Sequence, residues 1–147
     1  MDPSPADDPI RDLLALTLTS GVGPLTSRAL LEHFGSAAAV LDAPIAALRE
    51  VPNVGPKLAD RIRHARADND PDREIAEARR NGVTLIPRGT PGYPPTLDEI
   101  PDPPALLYVK GAFEPRDQIA IALVGSRRCT PYGIRTAERL ATALART

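Results

Sequence analysis

The stretch ALVGSRRCTPYG, residues 122–133, ends an apolar run at a glycine and follows it with a hydroxyl, two guanidinium groups and an aromatic ring. Gly125 lets the backbone come close to a ligand, and Ser126 supplies a hydroxyl. Arg127 and Arg128 carry planar donors that match phosphate oxygens, and Tyr132 offers a face on which a base can stack. Gly133 closes the loop and a helical stretch follows. Such a set holds a phosphate backbone with its donors and a base with its ring. It does not match a nucleotide fingerprint: G-x-G-x-x-G needs a second glycine where Arg127 stands, and the Gly-Lys-Ser/Thr ending of a P-loop is absent. The alternative is a tight strand-to-helix turn with solvated arginines.

A loop of this kind needs a strand before it and a helix after it. Residues 119–124 (IAIALV) read as a strand buried on both faces of a parallel sheet. Residues 134–146 read as an amphipathic helix with Ala137, Leu140, Ala141 and Leu144 inward. Strand, glycine loop and helix make the first half of a doubly wound α/β unit, whose ligands sit beyond the carboxyl ends of the strands. Upstream, prolines crowd between residues 87 and 104, and short strands are expected at 83–86 and 105–109. Asp98, Glu99 and Asp102 lie among these prolines and read as turn and surface residues rather than as a pair of catalytic carboxylates.

The first half carries a repeat. Residues 20–30 (SGVGPLTSRAL) align without gaps with residues 52–62 (PNVGPKLADRI), 32 positions later. Each copy follows an apolar helical stretch with a tight turn and a second helix that opens on proline, where the missing N–H costs nothing. Gly21 and Asn53 fall where the turn needs positive φ. Apolar faces are expected at Leu25, Ala29, Leu30 and His33 or Phe34 in one second helix, and at Leu58, Ile62 and Ala65 in the other. These units resemble the helix-hairpin-helix motif, whose glycine-rich turn frees the amides of the next helix to face a phosphate. The turn residues Gly21, Gly23 and Gly55 are therefore candidate backbone contacts, with Lys57 and Arg61 beside the second turn. The alternative is a helical bundle whose turns serve packing alone. Ser36 is expected to cap a helix at 37–41, Pro44 to start one leading to Val51, and Asp70 to start one that Arg79 and Arg80 finish before Gly82.

Composition agrees with a globular chain: 42% hydrophobic, 25% charged, and no apolar run long enough to span a membrane. The net charge of −1 hides a gradient. Residues 1–10 hold three aspartates and no basic residue, whereas residues 119–147 hold five arginines against Glu138. Lys57, Arg61, Arg63 and Arg66 form a second basic cluster opposed within it only by Asp60. Local fields of this kind, not the sum, govern contact with phosphate. A single cysteine, Cys129, forbids an internal disulfide and fits a reducing cytoplasm. Neither Cys129 nor His33 or His64 has neighbours at ligand or triad spacing, so no metal site and no catalytic residue is expected.

Residues 93–111 (YPPTLDEIPDPPALLYVKG), followed by residues 121–133 (IALVGSRRCTPYG), resemble the DNA-processing protein A family, also called Smf. The resemblance covers the whole chain, because many members place a small helical domain before a Rossmann-type domain. It implies single-stranded DNA binding and loading of the RecA recombinase during natural transformation, without catalysis or a nucleotide cofactor. It places Gly125, Ser126 and above all Arg127 in a pocket for DNA phosphate; Gly133 also matches. Members continue well past this loop, through the rest of the sheet and the surfaces for self-association into a homodimer and for recombinase contact. A fragment is therefore expected.

The expected architecture is α plus α/β. A disordered tail (1–10) precedes a tandem helix-hairpin-helix-like domain (11–67), a linker helix (68–82) and the truncated first part of a Rossmann-like domain (83–147). The rival function is a Rossmann-type nucleotide-handling enzyme with a helical N-terminal domain.

Overall fold

In the computed structural model, residues 8–115 and 120–146 are described. Proline and glycine set most helix boundaries. Helix α1 (Asp8–Thr17) leads into the first glycine turn, and α2 (Pro24–Phe34) opens on proline and stops at Gly35, whose φ of 83° lets its N–H reach the Leu31 carbonyl. Ser36 caps α3 (Ala37–Asp42) by accepting from the Ala39 N–H at 3.1 Å. A short α4 (Ile45–Leu48) leads into the second turn, and α5 (Pro56–Asp68) repeats the proline start of α2. Asp70 accepts from the Arg73 N–H at 3.0 Å and so caps α6 (Pro71–Arg80), with acidic residues in its first turn and arginines in its last, as the helix dipole favours. Residues 8–10 thus belong to α1 rather than to a tail; residues 1–7 lie outside the described residues.

Leu16, Leu30, Val40, Leu48 and Ile62 are fully buried and form the centre of the helical core; Leu14 on α1 is fully buried as well. Strands β1 (Val83–Pro87) and β2 (Leu106–Lys110) pair antiparallel, Val83 opposite Lys110 and Pro87 opposite Leu106. Ala105 and Leu106 pack against the helical core, and α6 buries Ile75 and Ala78. The helix read as a linker is therefore packed into the same body as its neighbours. Between the strands, a proline-rich connection with a short α7 (Pro95–Asp98) is held by the Tyr93 hydroxyl, which donates to the Pro104 carbonyl at 2.8 Å. Arg88, just after β1, pairs with Asp98 at the end of α7. One compact unit ends at Phe113 and a second begins at Glu114, so the β1–β2 hairpin stays with the helices.

In the second unit α8 (Pro131–Leu144) is capped by Thr130, whose hydroxyl accepts from the Gly133 N–H at 3.2 Å. The strand expected at 119–124 is not formed: Ile119 lies outside the described residues, and residues 120–124 are irregular. A strand meant for burial on both faces needs ladder partners for its N–H and C=O groups. Among the described residues the only paired strands are β1 and β2, which belong to the other unit. Val124 accordingly stands 93% exposed, and the α8 residues expected inward, Ala137, Leu140, Ala141 and Leu144, are exposed for want of a sheet to cover. The described residues thus make a helical domain with a small two-stranded sheet, while the parallel sheet of a Rossmann-type domain is not among them.

Candidate nucleic-acid interface

The two hairpin turns are near copies in geometry as well as in sequence. Gly21 takes φ 97° and Asn53 takes φ 66°, the left-handed conformation the repeat requires. The next residue closes each turn: Val22 N–H donates to Thr19 O at 2.9 Å, and Val54 N–H donates to Val51 O at 3.1 Å. Gly23 (φ −91°, ψ 177°) and Gly55 (φ −81°, ψ 172°) then occupy the N-cap positions of α2 and α5, with no side chain capping either helix.

Gly21 is needed for the fold. Beyond its positive φ, a Cβ there would lie 3.3 Å from Leu58 Cδ1. Gly23 and Gly55 are different. Their backbone is extended, which any residue adopts, and an added Cβ would meet nothing within 4 Å. At an N-cap, Ser, Thr, Asp or Asn would ordinarily satisfy the first-turn amides. Pro24 and Pro56 bring no N–H and the Leu58 N–H donates to the Gly55 carbonyl at 3.1 Å, but glycine places no side chain over the first-turn amides that remain and leaves the approach to them open, twice, at equivalent places.

The basic cluster of α5 divides in the structure. Arg66 is tied to Asp12 on α1 and Asp42 on α3. Its pKa is raised by those carboxylates, and Asp42 is held below the usual carboxylate range chiefly by its hydrogen bond to Arg66. Arg63 Nη1 donates to the Leu41 carbonyl at 2.7 Å. Arg61 Nη1 donates to the Ser20 carbonyl at 3.1 Å, tying α5 to the first hairpin while the side chain stays exposed. Lys57, in the first turn of α5, is exposed and makes no ion pair among the described residues. Reading all four cations as an open basic face is corrected: Arg63 and Arg66 hold the bundle together, and Lys57 with the outer edge of Arg61 remains for a ligand.

Leu25 is also corrected. Expected in the apolar face of α2, it is 64% exposed beside the first turn. Helical spacing identifies a face but not how far along the helix the core reaches.

In the second unit Gly125, Ser126, Arg127 and Arg128 are exposed in irregular backbone and turn. Ser126 Oγ accepts from the Arg128 N–H at 3.2 Å, folding the two-arginine turn back on itself. Neither Arg127 nor Arg128 makes an ion pair among the described residues. The loop is shorter than expected, because α8 begins at Pro131; Tyr132 and Gly133 stand in its first turn. Tyr132 is 71% exposed. Arg135 and Arg139 follow on α8 one turn apart and exposed, extending the positive charge of the loop. Cys129 is exposed, and among the described residues no cluster of metal-ligating side chains occurs. No helix of the described residues is long and apolar enough to cross a membrane.

Comparison with known proteins divides the chain in the same way as the two kinds of turn. Residues 10–68 match the model of a SAM-like helix-hairpin-helix tandem, and residues 84–147 match that of DNA recombination-mediator protein A. Protein Smf of Synechocystis sp. is 32% identical over 135 residues, which is 89% of this chain and 34% of the Synechocystis protein. A DNA ligase of Alkalilimnicola ehrlichii is 47% identical over 64 residues, 43% of this chain and 9% of the ligase. A DNA ligase of Halorubrum lacusprofundi is 49% identical over 57 residues, 39% of this chain and 8% of the ligase. The chain thus spans about a third of the length of the Smf relative and less than a tenth of either ligase. The match of residues 84–147 and the similarity to Smf across most of this chain's own length support membership of the DNA recombination-mediator protein A (DprA/Smf) family.

Proposed function

We propose that this chain acts in DNA processing by holding the sugar-phosphate backbone of single-stranded DNA, without breaking bonds and without a nucleotide cofactor. The observation that carries the reading is the pair of N-cap glycines, Gly23 and Gly55, which nothing in the fold requires and which leave two helix starts open to an anion. Lys57 and Arg61 add charge at the second start. Gly125, Ser126, Arg127 and Arg128 offer a separate set of donors, with Tyr132 and Gly133 in the helix turn that follows and the Tyr132 ring available for stacking. Similarity to helix-hairpin-helix stretches in DNA ligases and to Smf supports DNA as the polyanion.

We propose further that this activity serves RecA loading during natural transformation in the cytoplasm, with a homodimer as the working form and the segment 83–147 contributing to a Rossmann-like domain. Fluorescence anisotropy of labelled single-stranded and duplex DNA against the 147-residue chain, at low and physiological salt, tests the reading. Binding that weakens steeply with salt supports it, because counterion release is the signature of phosphate contact. No binding at low salt refutes it for this chain. Thermal stabilisation by mononucleotides without DNA binding would favour a nucleotide-handling enzyme instead.

A further inference from the structure

Ser27 lies one turn into α2, below the first glycine turn. Its side chain is 2% exposed and its hydroxyl has no hydrogen-bond partner among the described residues. Buried hydroxyls without partners are uncommon, because desolvation is then uncompensated. Ser27 lines a cavity of about 240 Å³ whose walls include Leu18, Val22, Gly23, Pro24, Leu106 and Tyr108. The walls are apolar apart from Ser27 and Thr17, whose hydroxyl is occupied by the Leu13 carbonyl at 2.8 Å. Tyr108 is 48% exposed. An apolar cavity, an aromatic wall and one unsatisfied hydroxyl therefore meet beside a helix start that no side chain caps.

We infer that this cavity takes one unstacked nucleobase from a strand whose phosphate rests on the first hairpin. The Tyr108 ring and Pro24 pack on the base, and Ser27 Oγ hydrogen-bonds its polar edge. A nucleobase combines apolar faces with an edge of donors and acceptors, which is the combination these walls accept; a lipid chain would leave Ser27 unsatisfied, and a bare phosphate would gain nothing from the apolar walls. The inference rests on the proposal that the hairpins hold the DNA backbone, and it assigns the first hairpin a preference for single strands, since a base inside a duplex cannot reach such a slot.

The test compares labelled oligothymidylate with an abasic strand of equal length and charge, by anisotropy at low salt, using the 147-residue chain. Oligothymidylate is expected to bind roughly tenfold more tightly, the range of one stacked base. Ser27→Ala and Tyr108→Ala should each shrink that ratio severalfold while abasic binding stays unchanged. Ser27→Ala removes a hydroxyl that no protein group partners, so its thermal unfolding should be unimpaired and the fold retained. Equal binding of the two strands overturns the pocket but leaves the backbone reading standing. A ratio that survives both variants and disappears in Tyr132→Ala also overturns it, by moving the base to the second unit. If neither strand binds, both proposals fall together.

Discussion

Arg66 on α5 grips Asp12 on α1 with two parallel hydrogen bonds, Nε to Oδ1 at 2.7 Å and Nη2 to Oδ2 at 3.0 Å. Its remaining nitrogen, Nη1, bonds Asp42 at the end of α3, so one guanidinium ties three helices. The groups are partly solvated, and the pair is worth about 1 kcal/mol rather than the several a buried network would give. Arg66→Ala is therefore expected to lower Tm by about 3–5 °C for a domain of this size, measured by thermal circular dichroism. Because Asp42 is held below its ordinary value in the folded state, its share is present above that value and disappears as pH falls through the folded value. The gap between wild type and Asp42→Asn should close below about pH 4.

The two hairpin glycines predict opposite signs for stability and binding. Gly23 and Gly55 have the extended backbone of an N-cap, so Gly23→Ser and Gly55→Ser let the new hydroxyl cap the helix. Each should stabilise by up to about 0.5 kcal/mol. The same hydroxyl occupies the amides proposed for phosphate, and salt-sensitive DNA binding should fall. A stabilised variant with unchanged affinity would remove the hairpins from the interface. Gly21→Ala is the contrast: positive φ and the contact with Leu58 make it destabilising by about 1–2 kcal/mol.

The cations of α5 should separate in the salt dependence. Lys57→Ala is expected to reduce the slope of log affinity against log salt by about 0.7 for single strands. Arg63→Ala should leave the slope unchanged and lower stability instead, since its guanidinium is spent on the Leu41 carbonyl. Equal slopes for both variants would mean that Lys57 meets no phosphate.

For the loop before α8, Arg127→Ala should weaken single-strand binding across all sequences, because phosphate contacts carry no base information. Thr130→Ala removes the α8 cap, at a cost of about 1 kcal/mol of helix stability. Helix content of the second unit, read by amide chemical shifts, should fall without change in the first.

The Tyr108 hydroxyl gives an alkaline marker. Its pKa is pushed up to about 12, first by burial and then by its bond to Glu74. The folded value lies above the ordinary 10, so this contribution is full below pH 10 and is lost as pH rises toward 12. Tyr108→Phe should flatten that alkaline loss, followed as Tm against pH.

What the sequence determined by itself is local. Positive φ at Gly21 and Asn53, the proline starts of α2 and α5, and the caps of α3 and α6 by Ser36 and Asp70 all follow from steric and hydrogen-bonding rules that act within a few residues. The phosphate chemistry proposed for the glycine turns and for Arg127 rests on the same kind of local reading, since it depends on residue types close together in the chain. The antiparallel β1–β2 pair came near its expected positions because its proline-bounded strands are short and its pairing lies within a single connection.

Tertiary structure decided which cations are free, because Asp12 and Asp42 reach Arg66 from 54 and 24 positions away, a proximity that only packing creates. It also decided that Leu25 faces solvent and that Ser27 is buried without a partner against Leu106 and Tyr108, which no pattern along α2 reveals. The strand expected at 119–124 fails on the same principle in reverse. Its apolar run records a burial that neighbouring strands must supply, and a strand cannot satisfy its own backbone.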